Sequence, residues 1–344
     1  MNRRKIILDI LFLVLVFSIT CYQIFHGQDL REVIETIKYT NAKYWLLAIL
    51  GVIFYIGIEC ITIYYLMSSI GQKVNIFNCF LYSSIGFFFS CITPSASGGQ
   101  PAQIYFMRKD KIPVPMSTLV LMIITIAYKM VLVILGTIIF IFRPVNIMNY
   151  LEPIRGICYL GLFLNIAFIC FVLILMINPK IIQKWLVDLV ELMENLHLTK
   201  RKEHYLAKIE NAMVQYKDAA LYFKTHKLIV CNVFVMILIQ RVLLFNVTYL
   251  VYKSFGLDGV DIVTINVLQG MISVAVDMLP LPGGMGISEK LFLKIFKPIF
   301  GTVILPAMVV TRGLSYYTEL ILSAVFTVLS IFIIGKIKQR DVKA

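Results

Sequence analysis

Seven ionisable side chains lie inside apolar stretches of this chain, where charged residues are rare. They are Glu59, Lys129, Arg241, Asp277, Glu289, Arg312 and Glu319. An ionised group in a membrane span costs at least ~2.5–3.5 kcal/mol, so each of these groups needs a charged partner or a water-filled cavity. Two cations beside one cavity would suit a phosphate group, because a guanidinium can hold phosphate with two parallel hydrogen bonds. The alternative is that the charges form internal ion pairs, for instance Glu59 with Arg241, that lock helices together.

Two stretches rich in glycine and proline interrupt apolar segments that would otherwise continue as membrane helices. Residues 93–103 read TPSASGGQPAQ, and residues 279–289 read LPLPGGMGISE. The apolar segment before each stretch is shorter than the ~20 residues that a full crossing requires. A broken helix exposes backbone N–H and C=O groups, which are tolerated at membrane depth only against protein or a polar cavity. We therefore predict two re-entrant hairpins, at about 77–107 and 262–300, with a surface loop between two spans as the alternative at each place.

The glycine pairs in these stretches, at 98–99 and 283–284, lie 185 residues apart, one in each half of the chain. Interrupted segments in corresponding positions of two halves mark the binding site of transporters that are built from inverted repeats. We predict a first membrane repeat over residues 1–145 and a second over residues 150–335. In this arrangement the hairpins enter from opposite faces and meet near the midplane.

A binding site at this meeting point would combine the polar and small residues of both interruptions with the intramembrane charges. The predicted site residues are Thr93, Ser95, Ser97, Gly98, Gly99, Gln100, Gln103, Lys129, Arg241, Asp277, Gly283, Gly284, Glu289 and Arg312. Lys129 lies 31 residues after Gly98. Arg312 lies 29 residues after Gly283, so the two cations are candidates for equivalent positions that flank the cavity. Backbone N–H groups of the hairpins would add donors for an anion. We predict no catalytic residue, metal or cofactor, because the sequence contains no metalloprotease, serine-hydrolase or nucleotide-binding motif.

Composition predicts an all-α polytopic membrane protein. Apolar residues make up 60% of the chain, and the mean hydropathy is +0.86. Six crossing helices are predicted, at 6–25, 44–70, 116–142, 157–177, 228–252 and 302–334. The seven cysteines lie in apolar runs without paired spacing, which argues against a disulfide framework and against a zinc site. The net charge of +13 is spread over loops rather than gathered on a soluble domain, so we expect no nucleic-acid partner.

The distribution of Lys and Arg predicts the orientation of the chain in the cytoplasmic membrane. Basic residues at 3–5 precede the first span and place the N-terminus inside, and the basic tail at 336–344 places the C-terminus on the same side. An amphipathic segment at 26–43 is assigned to the outer surface, and the amphipathic insert at 178–227 is assigned to the cytoplasmic surface. Three lysines between 290 and 297 fall on the outer side and count against this topology.

At residues 93–101, TPSASGGQP, and residues 281–289, LPGGMGISE, the chain resembles the transmembrane, flippase-like domain of lysylphosphatidylglycerol synthetases. That family also includes stand-alone integral membrane proteins, and the resemblance covers roughly residues 5–336. It implies movement of a polar lipid between leaflets. Aminoacylated phosphatidylglycerol is the best-known substrate in the family, and a polyprenyl-phosphate-linked lipid is a second candidate.

The bifunctional members of this family carry a C-terminal synthetase domain that transfers lysine from lysyl-tRNA to phosphatidylglycerol. Only about ten residues follow the last predicted span here, so we expect a stand-alone member that does not make lysylphosphatidylglycerol by itself. Two alternatives to a flippase stay open. One is phosphatidylglycerol lysyltransferase activity with a partner that supplies the missing domain, and the other is a lipid-binding scaffold or sensor that moves nothing. The expected partners are a membrane phospholipid or lipid-linked headgroup, a second copy of the chain as a homodimer, and a separate lipid-modifying enzyme.

Overall fold

The computed structural model describes residues 30–195 and 202–340. Over these residues the chain folds into helices and forms no β-strand, which confirms the all-α class. The first predicted span, 6–25, lies outside the described residues. In chain order the α-helices are α1 (Leu30–Lys38), α2 (Ala42–Ser69), α3 (Ile76–Ile92), α4 (Gly99–Lys109), α5 (Val114–Phe142), α6 (Val145–Leu151), α7 (Arg155–Ile177), α8 (Pro179–Asn195), α9 (Lys202–Thr225), α10 (Lys227–Ser254), α11 (Ile262–Val276), α12 (Ile287–Phe300), α13 (Ile304–Arg312) and α14 (Thr318–Arg340).

Five stretches of the described chain are long and apolar enough to cross a membrane. They are Ala42–Ser69, Val114–Phe142, Val145–Ile177, Lys227–Ser254 and Ile287–Ser330. The protein is therefore a multi-pass membrane protein. In the last stretch, the returning half of the second predicted hairpin continues into the last predicted span, with a short 3₁₀ turn at Gly301–Val303 between α12 and α13. Gly301 has a left-handed φ of +57°, which separates the two helices.

Polar side chains cap the helices that lead into the two interruptions. The side chain of Asn75 accepts a hydrogen bond from the Phe77 amide at 2.8 Å and so caps α3. Asp261 caps α11, where the hydroxyl and the amide of Thr264 donate to its carboxylate at 2.7 and 2.9 Å. These two hydrogen bonds lower the pKa of the Asp261 carboxyl. The caps satisfy N–H groups that a helix start would otherwise leave unpaired.

Both predicted interruptions are breaks between helices. In the first break, residues 93–98, α3 ends at Ile92 and α4 begins at Gly99. In the second break, residues 277–286, α11 ends at Val276 and α12 begins at Ile287. The apolar helices before the breaks, α3 and α11, have 17 and 15 residues, which is shorter than a full crossing.

The two breaks lie against each other. Pro94 of the first break and Pro282 of the second pair as an isolated antiparallel bridge. The Ser95 hydroxyl donates a hydrogen bond to the Leu279 carbonyl oxygen at 3.0 Å. Backbone groups that the broken helices leave free are therefore partly satisfied by the opposite break.

Two large apolar clusters pack around the breaks at opposite ends of three shared helices, α2, α5 and α10. The end of α2 and the beginnings of α5 and α10 pack with α3 and α4. The beginning of α2 and the ends of α5 and α10 pack with α11 and α12. The two broken segments thus approach each other from opposite ends of the same helices. The repeat boundaries at 1–145 and 150–335, and the re-entry of both hairpins into the membrane, stay predictions.

The insert predicted at 178–227 forms α8 and α9. The apolar stripe of α9 is buried in the cluster around the first break, where Met213, Tyr216 and Phe223 are at most 4% exposed. The Tyr216 hydroxyl lies 3.7 Å from the Met122 sulfur on α5. The stripe therefore packs against the helical bundle, and the placement of the insert on the cytoplasmic surface stays a prediction.

Candidate functional site

A cavity of about 590 Å³ lies where the two breaks meet. Helices α2, α3, α4, α5, α7, α10 and α11 and the last helical stretch contribute to its wall. The predicted site residues that line it are Ser95, Ser97, Gln100, Gln103, Lys129, Arg241, Asp277, Gly283, Gly284 and Arg312. Thr93, Gly98, Gly99 and Glu289 do not line the cavity. The structure therefore brings most of the predicted residues to one place, while their binding of a ligand stays a prediction.

Thr93, Gly98 and Gly99 shape the first break rather than its cavity wall. The Thr93 hydroxyl donates to the Phe89 carbonyl oxygen at 2.6 Å and accepts from the Gly98 amide at 2.9 Å. A Cβ atom added to Gly98 would lie 2.6 Å from the Thr93 methyl carbon, and one added to Gly99 would lie 2.1 Å from the Ser90 hydroxyl oxygen. Close packing, and not an unusual backbone conformation, requires these two glycines.

The two glycine pairs do not occupy equivalent positions in the two breaks. After Pro282 the left-handed residues are Gly283 and Gly284, with φ values of +54° and +65°. After Pro94 the left-handed residues are Ser95 and Ala96, with φ values of +50° and +55°. Because the two prolines are paired, the breaks correspond with a spacing of 188 residues rather than the 185 that separates the glycine pairs (282 − 94 = 188).

Lys129 and Arg312 stand at different positions along their own helices. Lys129 is the sixteenth residue of α5, which begins at Val114, whereas Arg312 is the ninth residue of α13, which begins at Ile304. Their equivalence in the two repeats stays a prediction.

Lys129 and Arg312 are not free to grip an anion, because each is paired with an acid beside the second break. Lys129, which is only 7% exposed, forms an ion pair with Asp277, and the Tyr128 hydroxyl donates to the same carboxylate. The guanidinium Nε of Arg312 lies 2.7 Å from Oε1 of Glu289. The alternative interpretation, internal ion pairs, is thus correct for these two cations.

Arg312 and its ion-pair partner Glu289 also stabilise the backbone of the second break through hydrogen bonds. The Arg312 Nη2 donates to the Gly283 carbonyl oxygen at 3.0 Å. The second carboxylate oxygen of Glu289 accepts from the Gly286 amide at 2.7 Å and from the Ser288 hydroxyl at 3.0 Å. Glu289 therefore supports the break from behind the cavity wall.

Arg241 lines the cavity and forms no ion pair with the residues that the structure describes. Its guanidinium carbon lies 3.8 Å from the centre of the Tyr128 ring and 5.1 Å from the centre of the Tyr55 ring. Its Nε is buried and has no hydrogen-bond partner among the described residues. The pair of Glu59 with Arg241, which was the example of the ion-pair alternative, does not form, and Glu59 accepts a hydrogen bond from the Gln240 amide at 3.1 Å. Arg241 is therefore a cation with donors available to a ligand.

Several polar residues of the cavity were missed as site residues. Among them are Tyr55, Glu59, Thr125, Tyr128, Gln269, Ser273, Ser288, Ser315, Tyr316 and Glu319. Helical spacing could have found some of them. Tyr55 and Glu59 stand four residues apart on α2, and Gln269 and Ser273 stand four apart on α11, so each pair shares one face of its helix.

Comparison with known protein families places the chain in one of them. The family described as the lysylphosphatidylglycerol synthase TM region matches residues 6–323, which include both breaks and every charged residue of the cavity. No curated protein matches the chain significantly. Since the match covers most of the chain, this protein belongs to the lysylphosphatidylglycerol synthase TM-region family.

Proposed function

We propose that this protein moves a polar, phosphate-bearing lipid between the leaflets of the cytoplasmic membrane. The headgroup passes through the cavity between the two breaks, and the acyl chains stay in the surrounding lipid. The observation that carries this proposal is Arg241, a cation without an ion pair among the described residues, which lines a cavity walled by two broken helices. Membership of the family supports a role in the metabolism or transport of lysylphosphatidylglycerol.

The size of the cavity suits a headgroup better than a whole lipid. Ligand pockets in proteins span roughly 300–1,000 Å³, and the volume of about 590 Å³ falls within that interval. A phospholipid with two long acyl chains would not fit. The chains must therefore remain outside, next to the apolar side chains that the helices expose on their outer faces, such as Phe54, Phe163 and Ile321.

The chemistry of the wall suits a phosphate. A guanidinium offers five N–H donors in a planar fork that matches phosphate oxygens. The Gln100 amide donates to the Thr125 hydroxyl in the same wall, so polar groups of α4 and α5 lie together beside the cavity. One half-helix, α4, also begins at the first break, and helix N-termini favour anions. The start of α12 is already occupied by the Glu289 carboxylate, which accepts from the Gly286 amide.

The orientation in the membrane is part of the proposal. We place the N-terminus and the basic C-terminal tail in the cytoplasm, according to the positive-inside rule. A homodimer and a separate lipid-modifying enzyme remain proposed partners.

Lipid movement by purified, reconstituted protein tests the proposal. Proteoliposomes are loaded separately with fluorescent phosphatidylglycerol, fluorescent lysylphosphatidylglycerol or a fluorescent polyprenyl phosphate, and exchange between leaflets is measured. We expect faster exchange of at least one of these lipids, and a loss of at least about tenfold in Arg241→Gln, because a hydrogen bond to a charged group is worth ~1.5–3 kcal/mol.

Arg155→Gln is the matched control for this experiment. Arg155 is exposed at the start of α7 and does not line the cavity, so the variant removes the same charge from a different place. Its exchange rate should equal that of the wild type. If no probe moves faster than in protein-free vesicles, or if both variants lose activity equally, the proposal is wrong.

A further inference from the structure

The charges that face the cavity do not balance. After the two ion pairs of Lys129 and Arg312 are set aside, the charged side chains that remain in the cavity wall are Arg241, Glu59 and Glu319. Within the described part of the chain, the positive charge of one guanidinium is therefore available to neutralise two carboxyl groups.

Neither carboxyl group has an ion pair among the described residues. Glu59 on α2 accepts from the Gln240 amide at 3.1 Å. Glu319 on α14 lies 3.7 Å from the Cys91 sulfur, which is a weak donor. Arg241 is within electrostatic range of both carboxyl groups, so it can neutralise one of them at a time.

No second cation is available from the helices that surround the two carboxyl groups in the structure. The titratable and charged groups that line the cavity with them, on α2, α3, α5, α10, the second break and the last helical stretch, are Tyr55, Cys91, Tyr128, Lys129, Arg241, Asp277, Arg312 and Tyr316. Phenols and thiols are neutral at ordinary pH. Lys129 and Arg312 are already neutralised by their own acids.

An uncompensated carboxylate at membrane depth is costly, and two carboxyl groups that share one cation can lower that cost by binding a proton. We propose that Glu59 and Glu319 together hold one exchangeable proton, and that a phosphate bound at Arg241 makes the pair take up a second. When Arg241 binds phosphate, its charge is used by the ligand, and the carboxylate that it neutralised gains proton affinity.

Phosphate and proton then bind with positive cooperativity, and linkage requires each to strengthen the binding of the other. A headgroup would cross the cavity together with a proton. The coupling step rests on the function proposed above, whereas the proton shared by Glu59 and Glu319 does not. The cavity thereby connects lipid movement to the proton gradient across the membrane.

Infrared spectroscopy of the purified full-length chain tests the shared proton directly. At neutral pH we expect the signal of one protonated carboxyl group, which either Glu59→Gln or Glu319→Gln removes, because Arg241 neutralises the single carboxylate that remains. Glu152→Gln, in the exposed connection before α7, should keep the signal. A wild-type spectrum without a protonated carboxyl, or a signal that persists in both single variants, overturns the proposal.

Proteoliposomes with fluorescent phosphatidylglycerol test the coupling. We expect an imposed pH gradient to shift the lipid toward one leaflet in wild-type vesicles and in Glu152→Gln vesicles, and to reverse that shift when the gradient is reversed. Lipid exchange that ignores the gradient overturns the coupling while leaving the proposed function intact. If phosphatidylglycerol does not exchange, the same gradient test uses fluorescent lysylphosphatidylglycerol and then the fluorescent polyprenyl phosphate. If none of the three lipids exchanges, the proposed function fails and the coupling fails with it, and the infrared result still decides whether the two carboxyl groups share a proton.

Discussion

In both breaks a proline is followed by two consecutive residues with left-handed backbone, yet different residue types take that conformation. The second break uses glycine at both positions, Gly283 and Gly284, for which a positive φ carries no steric penalty. The first break uses Ser95 and Ala96, whose Cβ atoms make the left-handed conformation unfavourable by ~1–2 kcal/mol per residue. The same turn is therefore relaxed on one side of the cavity and strained on the other.

The breaks differ in charge as well. Asp277 and Glu289 flank the second break and are paired with cations of α5 and α13. The first break and the first turn of α4 contribute hydroxyl and amide groups, such as Ser97 and Gln100, and no charge. The second break is thus held by ion pairs to neighbouring helices, and the first is held by local hydrogen bonds. One backbone shape can be stabilised in two ways, and substitutions should affect the two breaks differently.

Loss of an acid of the second break should have the largest effect. Asp277→Asn leaves the buried Lys129 without its ionic partner, so we expect the free energy of unfolding to fall by about 3–5 kcal/mol. Thermal unfolding of the purified protein in detergent measures this change. Asp258→Asn breaks the exposed pair with Lys253 and should leave the melting temperature unchanged. Equal shifts in the two variants would contradict a buried ion pair at the second break.

Gly283→Ala should have the next largest effect. The new Cβ would lie 2.1 Å from a ring carbon of Tyr316, and the hydroxyl of that ring donates to the Cys91 carbonyl oxygen at 3.0 Å, which restricts its movement. Backbone strain and overpacking together predict a loss of about 2–4 kcal/mol.

Gly256→Ala separates these two contributions. Gly256 has a left-handed φ of +70° at the end of α10, but no atom lies within 4 Å of its added Cβ. This variant should lose only the backbone part, about 1–2 kcal/mol, in the same unfolding assay. If both variants lose the same amount, the Tyr316 ring is free to move away from the second break.

The smallest effect is expected at the first break, and with the opposite sign. Ala96→Gly relieves left-handed strain and should raise the free energy of unfolding by about 0.5–1 kcal/mol, after the greater chain entropy of glycine is subtracted. Ala102→Gly, in the helical conformation of α4, should lower it by about 0.5–1 kcal/mol. Destabilisation by both variants would show that the first break carries no strain at Ala96.

The positions of the breaks were predictable from the sequence because their causes are local. Prolines and glycines end a helix wherever they stand, and a short apolar run before them can be counted directly. Which residues of the first break correspond to which residues of the second could not be predicted in this way. The sequence suggests that the two glycine pairs correspond. In the structure, Ser95 and Ala96 adopt the left-handed conformation that Gly283 and Gly284 adopt in the other break.

The sequence also could not predict which charged residues form ion pairs with one another. Lys129 and Asp277 are 148 residues apart, and their pairing depends on how α5 packs against the second break. From the sequence, Lys129, Arg241 and Arg312 are all intramembrane cations, and the two predicted to flank the phosphate were Lys129 and Arg312. Only their neighbours in space distinguish Arg241 from the other two.

By itself the sequence determined that this is an all-α membrane protein with two broken helices and charges at membrane depth. Those properties follow from residue composition and from the lengths of apolar runs, which do not depend on distant contacts. The tertiary structure decided which charges neutralise one another, and so left Arg241, Glu59 and Glu319 facing the cavity. Ion pairing requires atoms within a few ångströms, and helices far apart in the chain meet at that distance only in the folded protein.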